Sequence, residues 1–208
     1  IGTDPHDPDT DGDGVLDGTE VIDGTDPLDA CDFDLTHQTL VPDVAWQNFD
    51  CDGDGVTNGD EVTDGTDPLD FCDFVLESAS VTPSAAWNAN DCDGDGVTNG
   101  TEVLNGTDPL DLCDFVATSQ TLTPSEEWNN SDCDSDGVIN SIEILNGDSD
   151  GDGTYDVFDI DDDNDNIDTI DEDNNNNENW LDDDCNENGV VDYLDPQPCD
   201  FIPNAFSP

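Results

Sequence analysis

The sequence contains no lysine and no arginine, so its 57 aspartate and glutamate residues face no basic side chain except two histidines. This absence excludes ordinary salt bridges, and it excludes the basic surface through which proteins neutralise nucleic-acid phosphates. A formal charge of -57 opposes any compact state by self-repulsion. We therefore predict that multivalent cations supply the missing positive charge. His6 and His37 are isolated in the sequence and are expected at the solvated surface.

Large apolar residues are also scarce. Leucine, isoleucine, valine and phenylalanine make up 45 of 208 residues, close to the share below which chains stay disordered. No apolar run approaches the roughly 20 residues of a membrane span, and no signal-peptide pattern is present. The sequence also lacks a Ser–His–Asp, Cys–His or phosphate-loop pattern. We therefore expect neither a membrane protein nor an enzyme.

Aspartate is abundant, and it recurs in a fixed pattern. Twelve-residue segments start at Asp9, Asp50, Asp91 and Asp132, each 41 residues after the last. Side-chain oxygens at positions 1, 3, 5, 9 and 12, a backbone carbonyl at position 7 and glycine at position 6 are typical of a loop around one calcium ion. The predicted ligands are Asp9, Asp11, Asp13, Val15, Asp17, Glu20, Asp50, Asp52, Asp54, Val56, Asn58, Glu61, Asp91, Asp93, Asp95, Val97, Asn99, Glu102, Asp132, Asp134, Asp136, Val138, Asn140 and Glu143.

Three less regular loops follow from residue 148 onward. The sixth has Asn166 in place of the turn glycine, and the seventh uses asparagine at two ligand positions, which predicts weaker binding. Their predicted ligands are Asp148, Asp150, Asp152, Thr154, Asp156, Asp159, Asp161, Asp163, Asp165, Ile167, Thr169, Glu172, Asp184, Asn186, Asn188, Val190, Asp192 and Asp195. The asparagine-rich segment 173–184 fits several registers. The sequence thus predicts about seven calcium ions as its cofactors.

The alternative interpretation is an acidic surface or a disordered acidic tail that binds no specific ion. Aspartate outnumbers glutamate 47 to 10, although solvation alone does not need the shorter acid. The aspartates also alternate around glycine instead of forming homogeneous runs. Both observations favour metal-binding loops.

Each of the first four loops is followed by a short helical turn, such as 20–22, that a glycine such as Gly24 ends. A second unit then runs from one cysteine to the next and contains Trp46, Trp87 or Trp128. We expect each tryptophan to pack on the neighbouring phenylalanine and a disulfide, with a ligand-binding aromatic as the alternative. In the third copy, 123–126 predicts a helix with Pro124 at its first position.

The eight cysteines form an even number, which is typical of disulfides in an oxidising, extracellular setting. Sequential pairing leaves no cysteine over and predicts the bridges Cys31–Cys51, Cys72–Cys92, Cys113–Cys133 and Cys185–Cys199. A rival scheme with Cys51–Cys72 and Cys92–Cys113 straddles the calcium loops. Spacing alone leaves this alternative open.

Two segments resemble known families. The runs TDPHDPDTDGDG at 3–14 and DDDNDN at 161–166 resemble bacterial thrombospondin type 3 repeats. That resemblance implies calcium-stapled stalks with little regular structure on secreted and surface proteins. The run FIPNAFSP at 201–208 is similar to the opening of the gliding-motility-associated C-terminal domain, a sorting signal for type IX secretion. This second resemblance implies a bacterial protein that is delivered to the cell surface or released.

The predicted fold is an elongated calcium-stapled repeat array with little regular secondary structure, short helical turns and loops, and disulfide-closed inserts. Residues 1–8 match the end of a preceding repeat, and 197–208 form an apolar C-terminal tail. Between them the predicted units are repeats 9–49, 50–90 and 91–131, loop 132–147, and directly joined loops 148–196.

The expected function is an extracellular calcium-binding spacer, stalk or fibril subunit. The alternative is a calcium-dependent adhesin or interaction module that binds glycans or a protein. A dockerin is disfavoured, since Gly24, Gly65 and Gly106 stop the helices early. Besides calcium, the expected partners are further copies of the chain, end to end, and covalent glycans at the sequons Asn99, Asn105 and Asn129, but no nucleic acid.

Overall fold

A computed structural model describes residues 2–173 and 179–197. Within those ranges the chain consists of loops and short helices and contains no strand. The α-helices are α1 (Asp17–Asp23), α2 (Val44–Gln47), α3 (Asn58–Asp64), α4 (Ala85–Asn88), α5 (Asn99–Asn105), α6 (Glu126–Asn130) and α7 (Asn140–Asn146). The 3-10 helices are Leu35–His37, Leu76–Ser78, Ala117–Ser119, Asp156–Phe158, Thr169–Glu172, Trp180–Asp182 and Asp192–Leu194. The predicted fold class of short helical turns, loops and disulfide-closed inserts is confirmed.

The chain divides into two compact units. Unit 1 comprises Ile1–Cys92 and Thr98–Leu110, and unit 2 comprises Asp93–Val97 and Asp111–Pro208. Unit 1 contains the first two loops and the first two inserts, which are the segments 31–51 and 72–92. Unit 2 contains the third insert, 113–133, and every loop from residue 132 onward. The third loop contributes residues to both units.

All seven predicted loops close in the same way. The N–H of position 9 donates to the carbonyl of the residue just before the loop, over 2.7 to 3.0 Å. A helix begins at that same position 9 in every case. Positions 4 and 6 adopt positive φ, and Asn166 fills position 6 of the sixth loop with φ 78°. The irregular loops after residue 148 therefore share the backbone design of the first four.

The helices of the first four loops are longer than predicted. Each runs for seven residues, and α1, for example, begins at Asp17 although the predicted turn began at Glu20. The start is earlier because the closing hydrogen bond already fixes the backbone at position 9. Gly24 ends α1 as predicted, with φ 91° and an N–H donated to the Glu20 carbonyl over 2.7 Å. The predicted start of α6 is wrong, since Ser125 caps it and Pro124 precedes it.

Each insert contains a small core built around its tryptophan. Trp46, Trp87 and Trp128 are buried and meet a phenylalanine edge-on, with ring centroids 5.6 to 5.9 Å apart. The valine at position 7 of the preceding loop joins the same cluster, as Val15 does with Trp46. The predicted miniature cores are therefore present. Because the tryptophans are buried, they offer no aromatic surface to a ligand.

The first insert holds two consecutive loops together. Toward the loop before it, the N–H groups of Thr39 and Leu40 both donate to the Gly14 carbonyl over 2.9 Å. Toward the loop after it, the Asn58 side chain donates to the Trp46 carbonyl over 3.1 Å. The second and third inserts form the same backbone bonds to Gly55 and Gly96. The first insert thus fixes the position of the second loop relative to the first.

The disulfides follow the sequential scheme, with bridges Cys31–Cys51, Cys72–Cys92 and Cys113–Cys133. The rival pairing across the calcium loops is excluded for these six residues. The fourth predicted bridge, Cys185–Cys199, includes a residue outside the described ranges. Nearly all of the predicted apolar tail and the whole motif at 201–208 also lie outside them.

His37 is exposed at the surface, as expected, and its side chain has a carboxylate partner. Its Nδ1 lies 2.6 Å from an Asp23 carboxylate oxygen at the end of α1. The hydrogen bond with Asp23 and the charge of that carboxylate raise the pKa of His37. The contact ties the Leu35–His37 helix of the first insert to the helix of the preceding loop.

In unit 2, segments far along the chain pack onto the fourth loop, which has no insert after it. The indole ring of Trp180 lies against Gly137, the place that Pro83 occupies at Gly55 and Pro42 at Gly14. The Asn146 side chain at the end of α7 donates to the Tyr193 hydroxyl over 3.3 Å. Both contacts join residues more than 40 positions apart in the sequence. Among the described residues, no helix has the length and apolar character to cross a membrane.

Candidate metal centres

The aspartates at positions 1, 3 and 5 converge in the first, second and fourth loops. In each loop, one oxygen from each of the three carboxylates lies within 4.8 Å of the other two. The three sets are Asp9, Asp11 and Asp13; Asp50, Asp52 and Asp54; and Asp132, Asp134 and Asp136. The glutamate that closes each loop at position 12 is fully buried. The sequence-predicted positions 1, 3, 5 and 12 are therefore held in one compact loop each.

Backbone hydrogen bonds orient these carboxylates. In the first loop, Asp9 accepts the N–H groups of Gly12 and Gly14 over 2.9 and 3.0 Å. One oxygen of Asp13 accepts the Val15 N–H over 2.7 Å. The second and fourth loops repeat both contacts. Loop backbone thus holds one oxygen of position 5 and leaves the other for a different partner.

Several carboxylate oxygens in these loops have no hydrogen-bond donor. In the first, second and fourth loops, the Oδ2 atoms of positions 3 and 5 and both oxygens of position 12 are buried and accept no hydrogen bond. An unpaired buried carboxylate is strongly disfavoured, and this chain has no lysine or arginine to pair with it. Calcium takes six to eight oxygen ligands, often including a glutamate that binds with both oxygens. The residues present fit a calcium ion.

The raised pKa values of these carboxylates also indicate that they lack a neutralising partner. Burial raises the pKa of Glu20 to about 8, and the carboxylates of Asp11 and Asp13 act in the same direction. Burial and neighbouring aspartates likewise raise the pKa of Glu61 to about 8 and that of Glu143 to about 10. Without a cation, these sites hold protons near neutral pH. A bound calcium ion would replace those protons.

The side chain at position 9 has a structural role that the sequence did not predict. In all seven loops its side chain accepts the N–H of position 2, over 2.8 to 3.4 Å. Asn58 and Asn140 also donate to a tryptophan carbonyl of the preceding insert. The side chain oxygens of this position are thus used in closing the loop. The residues concerned, predicted as ligands, are Asp17, Asn58, Asn99, Asn140, Asp156, Thr169 and Asp192.

The third loop is divided between the two units, so its parts are described separately. Asp91, Asn99 and Glu102 belong to unit 1, whereas 93–97 belongs to unit 2. Within unit 1, Asn99 accepts the Cys92 N–H over 3.0 Å, and within unit 2 the Val97 N–H donates to Asp95 over 2.6 Å. Each part therefore repeats the local contacts of the other loops.

The sixth loop resembles the first four most closely among the later ones. Asp163, Asp165 and Glu172 each have a buried carboxylate oxygen that accepts no hydrogen bond. Burial and the neighbouring carboxylates raise the pKa of Asp163 to about 7 and that of Glu172 to about 9. This loop therefore fits a cation despite its missing glycine.

The fifth and seventh loops fit a cation less well. In the fifth, Asp152 is exposed, and the Asp152 N–H lowers the pKa of Asp150. In the seventh, the side chains of Asn186 and Asn188 both donate to Asp195, over 2.7 and 2.6 Å. These amide groups already satisfy the carboxylate at position 12. Weaker binding at the seventh loop stays a prediction.

One buried acid lies outside the twelve-residue ligand pattern. Asp162 occupies position 2 of the sixth loop, which the ligand pattern leaves out, yet it is 2% exposed. One of its oxygens lies within 4.8 Å of oxygens of Asp136 and Glu143 in the fourth loop. Burial raises the pKa of Asp162 to about 9, with Asp156 and Asp136 adding to the shift. Only the unbroken run Asp161, Asp162 and Asp163 hinted at it in the sequence.

Comparison with protein families finds three matches to the bacterial TSP3 repeat, at residues 9–30, 50–70 and 91–112. Each matched segment covers one of the first three loops, its helix and the turn that follows. Comparisons with curated proteins and with solved structures give no match. The sorting-domain resemblance at 201–208 stays a prediction. Three segments of the chain are thus similar to the bacterial TSP3 repeat, and this similarity suggests a calcium-binding, extracellular structural repeat.

Proposed function

We propose that this chain is a calcium-rigidified structural element, a spacer, stalk or fibril subunit, of a bacterial surface or secreted protein, with no enzymatic role. One observation carries the proposal. Buried glutamate and aspartate oxygens in the first, second and fourth loops accept no hydrogen bond in a chain without lysine or arginine. Their negative charge is neutralised by calcium, whose binding energy contributes to folding.

The energetic contribution of each ion is large. An ion that binds only the folded loop, at a hundred times its dissociation constant, stabilises the fold by about 2.7 kcal/mol. A whole ordinary domain is stable by only about 5 to 15 kcal/mol. A few occupied loops therefore decide whether the chain is folded.

The inserts support a mechanical role. Each one bonds to the glycine carbonyls of the loop before it and is joined by a disulfide to position 2 of the loop after it. Calcium would fix each loop, and the insert would pass that order to the next loop. Such a chain resists bending only when its ions are bound, as a spacer between cell surface and environment requires.

The adhesin alternative has less support. Glycan binding through the tryptophan units would need exposed rings, whereas Trp46, Trp87 and Trp128 are buried in their inserts. The sequon at Asn99 is also buried, which disfavours a glycan there. A structural role uses the same residues without requiring their exposure.

Small-angle X-ray scattering of the full chain tests the proposal. In millimolar calcium we expect a well-defined maximum dimension, and after chelation a broader distribution of distances, because the loops lose their order. Identical scattering curves in calcium and in chelator would contradict the spacer role. Electron microscopy of the calcium-bound chain then distinguishes the proposed roles: long fibres support a fibril subunit, and single particles support a spacer or stalk.

A further inference from the structure

The fourth loop differs from a self-contained calcium loop because an acid from elsewhere in the chain enters it. Asp162 lies 19 residues beyond Glu143, the closing residue of that loop. Nevertheless, oxygens of Asp162, Asp136 and Glu143 all lie within 4.8 Å of one another, and all three residues are buried.

The Asp162 side chain has no other partner in the described structure. Neither of its carboxylate oxygens is solvent-accessible, and neither accepts a hydrogen bond. Its backbone N–H, by contrast, donates to Thr169 over 3.4 Å, which fixes the residue within its own loop. Glu143 has two such unpaired oxygens and Asp136 has one.

The spacing suits one shared cation. Calcium lies about 2.3 to 2.6 Å from its oxygen ligands, so ligands on opposite sides of an ion are about 5 Å apart. Three buried carboxylates at this separation repel one another strongly unless a cation lies between them. No lysine or arginine exists in this chain to take that place.

We propose that Asp162 is a ligand of the calcium ion in the fourth loop, so that one ion is held by two segments of the chain. The inference rests on calcium binding by the loops, and it adds a ligand that their twelve-residue pattern does not contain. The ion then works as a cross-link. It joins two parts of the chain. One is the fourth loop, which is bonded through Cys133 to the last insert disulfide, and the other is the set of directly joined loops that follow.

The test compares three full-length proteins: wild type, Asp162→Asn and the control Asp171→Asn. Asp171 lies in the same loop and loses the same charge, but it is exposed. Chelator-competition titration gives the affinities, and native mass spectrometry counts the ions. We expect Asp162→Asn to weaken one site at least tenfold and Asp171→Asn to leave all sites unchanged. Equal affinities in all three proteins would overturn the proposal.

Melting curves separate a ligand role from a merely structural one. Asparagine removes the need to protonate a buried carboxylate, so the metal-free Asp162→Asn protein should melt at the same temperature as wild type or higher, whereas its calcium form should melt lower. A lower melting temperature in both states would mean that Asp162 acts only through packing.

A double variant shows whether Asp162 and Glu143 share an ion. If they do, Asp162→Asn with Glu143→Gln loses no more ions than Glu143→Gln alone, and loss of a second ion would overturn the proposal. Calcium binding by the wild type distinguishes a failure of this proposal from a failure of the proposed function. A wild type that binds no calcium refutes that function, whereas a wild type that binds with unchanged affinity in Asp162→Asn refutes only the shared ion.

Discussion

At the scale of single residues, the glutamate at position 12 carries the strongest demand for a cation. Glu61 is fully buried, and neither of its carboxylate oxygens accepts a hydrogen bond. Burial raises its pKa to about 8. Asp52 and Asp54 add to that shift. An acid so placed destabilises the loop unless a proton or a cation neutralises it.

Replacing this residue should remove one calcium site. We expect Glu61→Gln to lower the free energy of unfolding by up to about 2.7 kcal/mol at calcium concentrations a hundred times the dissociation constant. Calorimetric titration should show one site fewer. Glu77→Gln, an exposed change of the same kind in the second insert, is the control and should behave as wild type. Full calcium stoichiometry in Glu61→Gln would refute the assignment.

Position 9 should affect stability whether or not calcium is present. Asn58 accepts the Cys51 N–H over 3.1 Å and donates to the Trp46 carbonyl over 3.1 Å, so both partners lose a bond in Asn58→Ala. Unsatisfied buried groups cost about 1–3 kcal/mol each. We expect denaturant curves to show the loss in calcium and in chelator alike. A loss confined to the calcium state would instead identify Asn58 as a metal ligand.

The sequence predicts well which acidic side chains of a loop converge, because spacing within twelve residues fixes which side chains meet. It does not reveal whether an oxygen at position 9 faces an ion or a backbone N–H, since asparagine and aspartate serve both purposes. The position of Asp162 beside the fourth loop was not predicted, for another reason. Its partner Asp136 lies 26 residues away, and only tertiary packing brings the two together.

At the scale of elements, the contact between loop and insert decides where a side chain is tolerated. Gly55 has φ 100°, and a Cβ built on it would lie 2.8 Å from the Pro83 ring of the second insert. Both the left-handed backbone and the close approach therefore require glycine. Gly18, inside α1, is under neither constraint, and the space around it is open.

Two alanine substitutions should consequently have opposite signs. Gly55→Ala should destabilise the protein by more than about 1 kcal/mol, because alanine strains a positive φ. Gly18→Ala should stabilise it by about 0.5–1 kcal/mol, because alanine favours a helix interior. Thermal unfolding in calcium measures both. Equal effects of the two changes would show that the insert does not pack on its loop as described.

Glycines after the loops predicted the helix ends, because a left-handed residue there is a local requirement. The helix starts were not predictable in the same way. They depend on the hydrogen bond between the N–H of position 9 and the carbonyl before the loop, and any residue except proline can donate that bond. The cysteine and tryptophan spacing predicted the cores of the inserts. Nothing in the sequence indicated that Trp180 would cover Gly137 in place of an insert.

At the scale of the whole molecule, the many carboxylates determine how stability depends on pH. Without calcium, the raised pKa values couple stability to pH. Glu61 shifts from 4.5 to about 8 and Asp52 from 3.8 to about 7, so the folded state binds more protons than the unfolded state. Stability of the metal-free protein should therefore fall as pH rises between about 4.5 and 8.

Urea unfolding of protein stripped of calcium, compared at about pH 5 and about pH 8, measures this dependence. With calcium present we expect the trend to reverse, because the ions displace the protons more readily as pH rises. A metal-free protein that is more stable at the higher pH would contradict the placement of these carboxylates in buried, unpaired positions.

The most direct test of calcium as the organising element is thermal unfolding of the full chain with and without the ion. Differential scanning calorimetry and circular dichroism should show a cooperative transition in millimolar calcium. Chelation should shift that transition strongly downward, and added calcium should restore it. A melting temperature that chelator leaves unchanged would contradict the account.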